Sequence, residues 1–124
     1  MNAAPAGCAD VRWADVRWAD VCPLAVLEPD RGVAVMVGGR QVAVFRLSAP
    51  GSELRAVDHR DPVSGANVLA RGLVGSAGTV VYVASPMHKQ RYDLDTGRCL
   101  DDPTLAVDVW PVRVRDGRVE VGLR

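Results

Sequence analysis

The only two histidines of this 124-residue chain, His59 and His88, each stand close to an oxygen donor and a proline. One stretch reads Asp58-His59-Arg60-Asp61-Pro62-Val63 and the other Ser85-Pro86-Met87-His88-Lys89-Gln90-Arg91. Imidazoles and carboxylates hold metals or move protons, but a metal site needs about three converging protein ligands. Nothing here has a helical or Cys-x-x-Cys ligand spacing, so no metal site is expected and both histidines are read as solvated loop residues. Ser85 lies beside a proline, with no strained elbow and no paired base to make it a nucleophile. Gly38-Gly39 separates two strand-like runs rather than opening a helix, which excludes a phosphate loop. No catalytic residue is expected.

The elements that must position these residues read as strands. Thr79–Ala84 is a buried β-branched run, Gln90–Leu94 a second, and Asp95-Thr96-Gly97 a turn after them. Val33–Val37 and Gln41–Leu47 alternate at period two around Gly38-Gly39-Arg40, which predicts a hairpin. Glu53–Asp58 resumes the pattern as a third strand of a meander. From His59 to Gly78 the alternation fails, which predicts a long irregular excursion. Val107–Val114 and Val119–Val121 predict a closing hairpin around Arg115-Asp116-Gly117-Arg118, with Pro111 at an edge or a bulge. Leu24–Leu27 is read as a single turn, and no segment sustains a helical apolar period. The fold class is all-β: an antiparallel sandwich or barrel carrying a hairpin subdomain.

Length fits one domain, with a core large enough to need no disulfide staples. Lys and Arg number 15 against 15 Asp and Glu, so no basic surface marks a nucleic-acid or anionic-membrane partner. No apolar run reaches the roughly 18 to 20 residues of a membrane span, and MNAAPAGCAD lacks a signal-like start, so the cytoplasm is the expected compartment. Cys8, Cys22 and Cys99 are odd in number and widely spaced, hence read as free thiols. Residues 9–20 repeat Ala-Asp-Val-Arg-Trp and open a third copy, too few units for a solenoid. The final copy, from Trp18, is read as the first strand. Residues 1–17 are thus expected to be a disordered extension and residues 18–124 the domain.

The hairpin Thr79–Leu100 resembles the second ligand loop of Rieske iron–sulfur domains, in which a strand enters Cys-Pro-x-His and returns through an aromatic-Asp-Leu strand and a Thr-Gly turn. In that resemblance Ser85 takes the cysteine position and His88 keeps the histidine. Upstream, Asp61-Pro62-Val63 replaces Cys-Pro-His, so three of the four ligand positions are lost. Thiolates retain the ferric–sulfide core, and hard oxygen donors do not replace them. No [2Fe-2S] cluster is therefore expected, and a Rieske-type ferredoxin is the disfavoured alternative. With Ala84-Ser85-Pro86 running on to Lys89-Gln90-Arg91, and with Val21–Leu24, Gln41–Arg46, Val68–Gly72 and Arg98–Asp102, the chain is similar to the small subunit of assimilatory NAD(P)H-dependent nitrite reductase over about residues 18–123. The resemblance implies a non-catalytic subunit docking on and supporting a large one. FAD, sirohaem and [4Fe-4S] would all lie in that large subunit, which reduces nitrite to ammonium. It also suggests Lys89, Gln90 and Arg91 as partner-binding residues, with Arg91 suited to bidentate pairing with a carboxylate. A free-standing β-sandwich interaction module is the remaining alternative.

Overall fold

The computed structural model describes residues 16–48 and 53–123. The extension expected over residues 1–17 falls outside them, apart from Val16 and Arg17. Nine strands are described: β1 (Arg17–Pro23), β2 (Arg31–Val37), β3 (Arg40–Arg46), β4 (Leu54–Asp58), β5 (Leu73–Ala77), β6 (Val80–Ala84), β7 (Arg91–Asp93), β8 (Val112–Arg115) and β9 (Arg118–Leu123). They form three antiparallel sheets, ordered β1-β9-β8, β2-β3-β4 and β5-β6-β7. Short 3-10 turns occupy Leu24–Val26, where a single turn is expected, and Leu69–Arg71.

The strict alternation of β3 divides it between two cores. Ala43 and Phe45 join one apolar cluster, with Val57, Leu69, Val83, Tyr92, Leu94 and Val109. Val42 and Val44 join the other, with Leu27, Val37, Ala56, Trp110, Val119 and Val121. The ladder keeps this division, because Ala43 faces Val57 and Val44 faces Ala56, and opposed residues share a face. A fully buried Val, Leu or Phe contributes about 1.5–3 kcal/mol, so β3 and β4 act as a common wall binding the hairpin sheet to the rest. Asp58, at the end of β4, accepts hydrogen bonds from Arg40 Nη2 at 3.0 Å and Trp110 Nε1 at 2.9 Å, which anchors the start of the following loop.

Hairpin tips follow the residues that tolerate a left-handed backbone. Gly38 and Gly39 have φ of 55° and 82°, and Asp116 and Gly117 have φ of 52° and 75°, the pattern that matches the twist of two-residue hairpins.

Three expectations are corrected. The first strand starts at Arg17 rather than Trp18 and carries an irregularity between Asp20 and Cys22. The excursion His59–Gly78 is not wholly irregular, since Leu73–Ala77 forms β5 and pairs with β6 from Leu73↔Ala84 to Ala77↔Val80. Its alternation is hidden by Gly75, over which the Tyr82 ring lies: a Cβ there would come within 2.6 Å of the Tyr82 hydroxyl. Finally, the strand expected over Val107–Val114 is regular only from Val112, leaving Pro111 just before the edge strand β8. Val107, Val109 and Trp110 are buried as coil held by β4, with Asp58 N–H donating to Asp108 O and Trp110 N–H to Ala56 O.

Candidate functional site

Two loops meet beyond the ends of β4 and β6. The first is pinned by its own backbone, since Val68 and Leu69 N–H both donate to His59 O, Asp61 N–H donates to Ala66 O and Gly65 N–H to Asp61 O. Gly65 has φ of 75°, which lets the loop close. The second closes tightly, with Lys89 N–H donating to Ser85 O and Ser85 N–H to Gln90 O, each at 2.9 Å. Lys89 sits at φ of 63°, unusual for a non-glycine residue.

Asp61 and Ser85 join the loops. Asp61 is fully buried; its Oδ2 accepts the Ser85 hydroxyl at 2.5 Å, and its Oδ1 accepts Gln90 Nε2 and the Val63 N–H, each at 2.8 Å. Gln90 Nε2 also reaches the Tyr92 hydroxyl at 3.1 Å, and the Met87 N–H donates to Ser85 Oγ at 3.2 Å. Burial pushes the Asp61 carboxyl up, but the hydrogen bonds from Ser85, Val63 and Ser64 together hold it below its ordinary value. Hydrogen bonds to a charged group contribute about 1.5–3 kcal/mol each, the scale needed to offset desolvation of a carboxylate. Charged and buried, Asp61 works as a crosslink between the two loops.

His59 departs from expectation. It is 6% exposed rather than solvated, and its Nδ1 accepts the Ala70 N–H at 3.1 Å, which places its proton on Nε2. Burial, then the nearby Arg71 charge, lowers its pKa, so the ring is neutral. His88 and Lys89 are exposed, as is Val63. Gln90, expected to face a partner, is turned inward. Arg91 does pair bidentately with a carboxylate, but the carboxylate is internal: Nη2 to Asp101 Oδ1 at 2.7 Å and Nε to Oδ2 at 3.1 Å, with the guanidinium stacked on Tyr82. Of the two cations in that trio, Lys89 carries no ion pair among the described residues. The residues missed by sequence reasoning are Gln90 and Tyr92 as members of the network and Asp101 as partner of Arg91. Period two was the signal for the first pair, because Tyr92 points inward and Gln90 must share its side.

These positions do not fit a [2Fe-2S] cluster. Val63 has no donor atom, Asp61 and Ser85 offer oxygen already consumed by mutual hydrogen bonding, and His88 lies outside the buried network. Cys22 and Cys99 are buried in the two separate cores. The arrangement can bind the loops to each other and present their tips.

A three-sheet antiparallel domain with two loops converging on one tip defines a class, and the comparisons agree: the profile of the Rieske-like [2Fe-2S] domain matches residues 17–122. The NADH nitrite reductase small subunit of Salmonella typhimurium is 37% identical over 101 residues, covering 82% of this chain and 93% of that protein. A crystal structure from Mycobacterium tuberculosis, assigned as an NADH-dependent nitrite reductase small subunit, superposes with a TM-score of 0.83 at 44% identity, covering 88% of this chain and 96% of the other. The chain belongs to the Rieske-like [2Fe-2S] domain family, in its branch of nitrite reductase small subunits. A nitrite reductase [NAD(P)H] large subunit of Klebsiella oxytoca is also similar, at 43% identity over 102 residues; this covers 82% of the chain but only 10% of that protein.

Proposed function

We propose that this chain is the small, non-catalytic subunit of a cytoplasmic NAD(P)H-dependent assimilatory nitrite reductase, docking on and supporting a large subunit that carries FAD, sirohaem and [4Fe-4S] and reduces nitrite to ammonium. The observation that carries the reading is a double likeness: to free small subunits along nearly their whole length, and to a tenth of a large subunit. A domain found both as a separate chain and within its partner is suited to sit on that partner. The loss of thiolate and imidazole at Asp61, Val63 and Ser85 supports a role without electron transfer through this chain. A ferredoxin would need those ligands. No helix among the described residues is long and apolar enough to cross a membrane, which is compatible with the proposed compartment.

Docking at the tip falls to Lys89, because Gln90 is buried and Arg91 is committed to Asp101. The test is NAD(P)H-dependent nitrite reduction by the large subunit, titrated with this chain. A saturable rise in activity or in large-subunit stability is expected, and Lys89→Glu should raise the concentration of chain required, most at low salt. No effect of the wild-type chain on either quantity contradicts the reading.

A further inference from the structure

We propose that the repeated pentad gives β1 two registers on β9: the one described, and a second, shifted by five residues, in which residues 12–16 take the places of residues 17–21 and Cys22 leaves the core. The inference concerns this chain alone and does not depend on the subunit reading.

Residues 9–16 read Ala-Asp-Val-Arg-Trp-Ala-Asp-Val, and residues 14–21 repeat them without a change. Sliding an ordinary strand by an odd number of residues moves its buried set to the exposed face, which is what fixes register. An exact five-residue repeat removes that penalty, because each position on both faces receives the residue type it had before. The contacts concerned are specific. Trp18 stands opposite Gly122 and lies under the Arg113 guanidinium at 4.1 Å, Ala19 stands opposite Val121 and packs on the core, and Asp20 accepts from Arg118 Nη2 at 2.7 Å. In the shifted register Trp13, Ala14 and Asp15 offer the same three side chains to the same partners. Val11 likewise stands in for Val16, whose Cγ1 lies 2.5 Å from where a Gly122 Cβ would be.

The position of β1 in the sheet permits the shift. It is an edge strand, in the order β1-β9-β8, so sliding breaks one ladder only. That ladder runs without a break from Arg17 to Asp20, wholly inside the repeat, and its register changes between Asp20 and Cys22. Cys22 and Pro23 alone pair with β9 through residues that the repeat does not supply, opposite Val119 and Arg118. The shifted register sets Arg17 and Trp18 at those two places. Cys22 is 8% exposed in the core of Leu27, Val42 and Val119, so an arginine in its place carries a desolvation cost, and the described register dominates. The remaining difference is that residues 19–23 loop out before Leu24, whose N–H donates to Gly117 O at 2.9 Å, and loop-closure entropy rises only slowly with length. The shifted register is thus a minor state with a chemical signature. In the described register the Cys22 thiol is buried, and burial pushes its pKa up, so it is unreactive; in the shifted register it is exposed.

The test is the rate at which iodoacetamide alkylates Cys22 in the full, folded chain, read by mass spectrometry of the peptide that carries it. Trp13→Ser/Asp15→Ser spoils the upstream copy alone and should slow alkylation at least about fivefold, because the rate follows the population of the open form; deleting residues 12–16 should do the same. Arg17→Val changes a residue exposed in the described register and removes the charge that the shift would bury, so alkylation should become at least about fivefold faster. Combining it with Trp13→Ser/Asp15→Ser should cancel the gain. Fraying of β1 without a shift predicts one rate for all the upstream variants, and that result overturns the proposal. So does a gain from Arg17→Val that survives in the combined variant, or a Cys22 that iodoacetamide does not reach in any of the chains.

Discussion

At the scale of single residues, the buried Asp61 carboxylate decides how the two loops stay together. Removing it leaves the Ser85 hydroxyl, the Gln90 amide and the Val63 N–H short of an acceptor at a buried position. Asp61→Ala should therefore cost about 2–4 kcal/mol in thermal or denaturant unfolding, and Ser85→Ala, which strands one carboxylate oxygen, about 1–2 kcal/mol. A loss below about 0.5 kcal/mol for Asp61→Ala would show that the network contributes nothing net. The folded pKa of Asp61 is lowered, so its contribution is complete above the ordinary carboxylate range near pH 4 and is lost as pH falls through the folded value. His59 is also depressed, chiefly by burial, so its contribution is complete above about pH 6.5 and declines as acid protonates the unfolded chain first. Unfolding measured from pH 8 to 3 should show two declines, and His59→Asn should remove the upper one alone. Asp61 and Ser85 were legible as degenerate ligand positions, but not as partners of each other, because a contact between loops separated by two strands leaves no local pattern. The solvated reading of His59 failed for the same reason: the Ala70 N–H that holds it comes from a turn invisible to alternation.

At the scale of elements, β2 and β3 were readable because valines alternate along both, and β4 because Leu54 and Val57 resume an apolar strand after a break. β5 was not, because Gly72, Gly75 and Gly78 serve close packing and a turn at the expense of pattern. The opposite error occurred at Val107–Trp110, where alternation persists although the segment is coil, since one face is buried against β4 whether or not a full ladder forms. Turn glycines offer a sharp comparison. Gly97 has φ of 80°, and an added Cβ would collide with the Val107 carbonyl, whose own N–H donates to Gly97 O. Gly78 has φ of 62° but open space around it. Gly97→Ala should therefore cost more than about 2 kcal/mol, from both backbone strain and displacement of the 107 segment, whereas Gly78→Ala should cost only the left-handed penalty of about 1–2 kcal/mol. Chemical denaturation of the two variants orders them, and equal losses would contradict this account of the turn at Asp95-Thr96-Gly97.

At the scale of the whole molecule, zero formal charge leaves little long-range steering, so the association proposed with a large subunit would depend on local features such as the exposed Lys89. The fold class and the branch of the family were both legible from joint motifs, whereas the interaction surface was not, because exposure and pairing are properties of the assembled sheets. What unites the three scales is a Rieske-like frame whose loop tip is tied by Asp61, Ser85 and Gln90 where relatives of the ferredoxin kind would need thiolates and imidazoles. The direct measurement is iron and acid-labile sulfide in the chain purified anaerobically after expression with both supplied. Colourless protein with iron far below one atom per chain is the expected result, and about two irons with matching sulfide per chain, as a [2Fe-2S] centre requires, would contradict it.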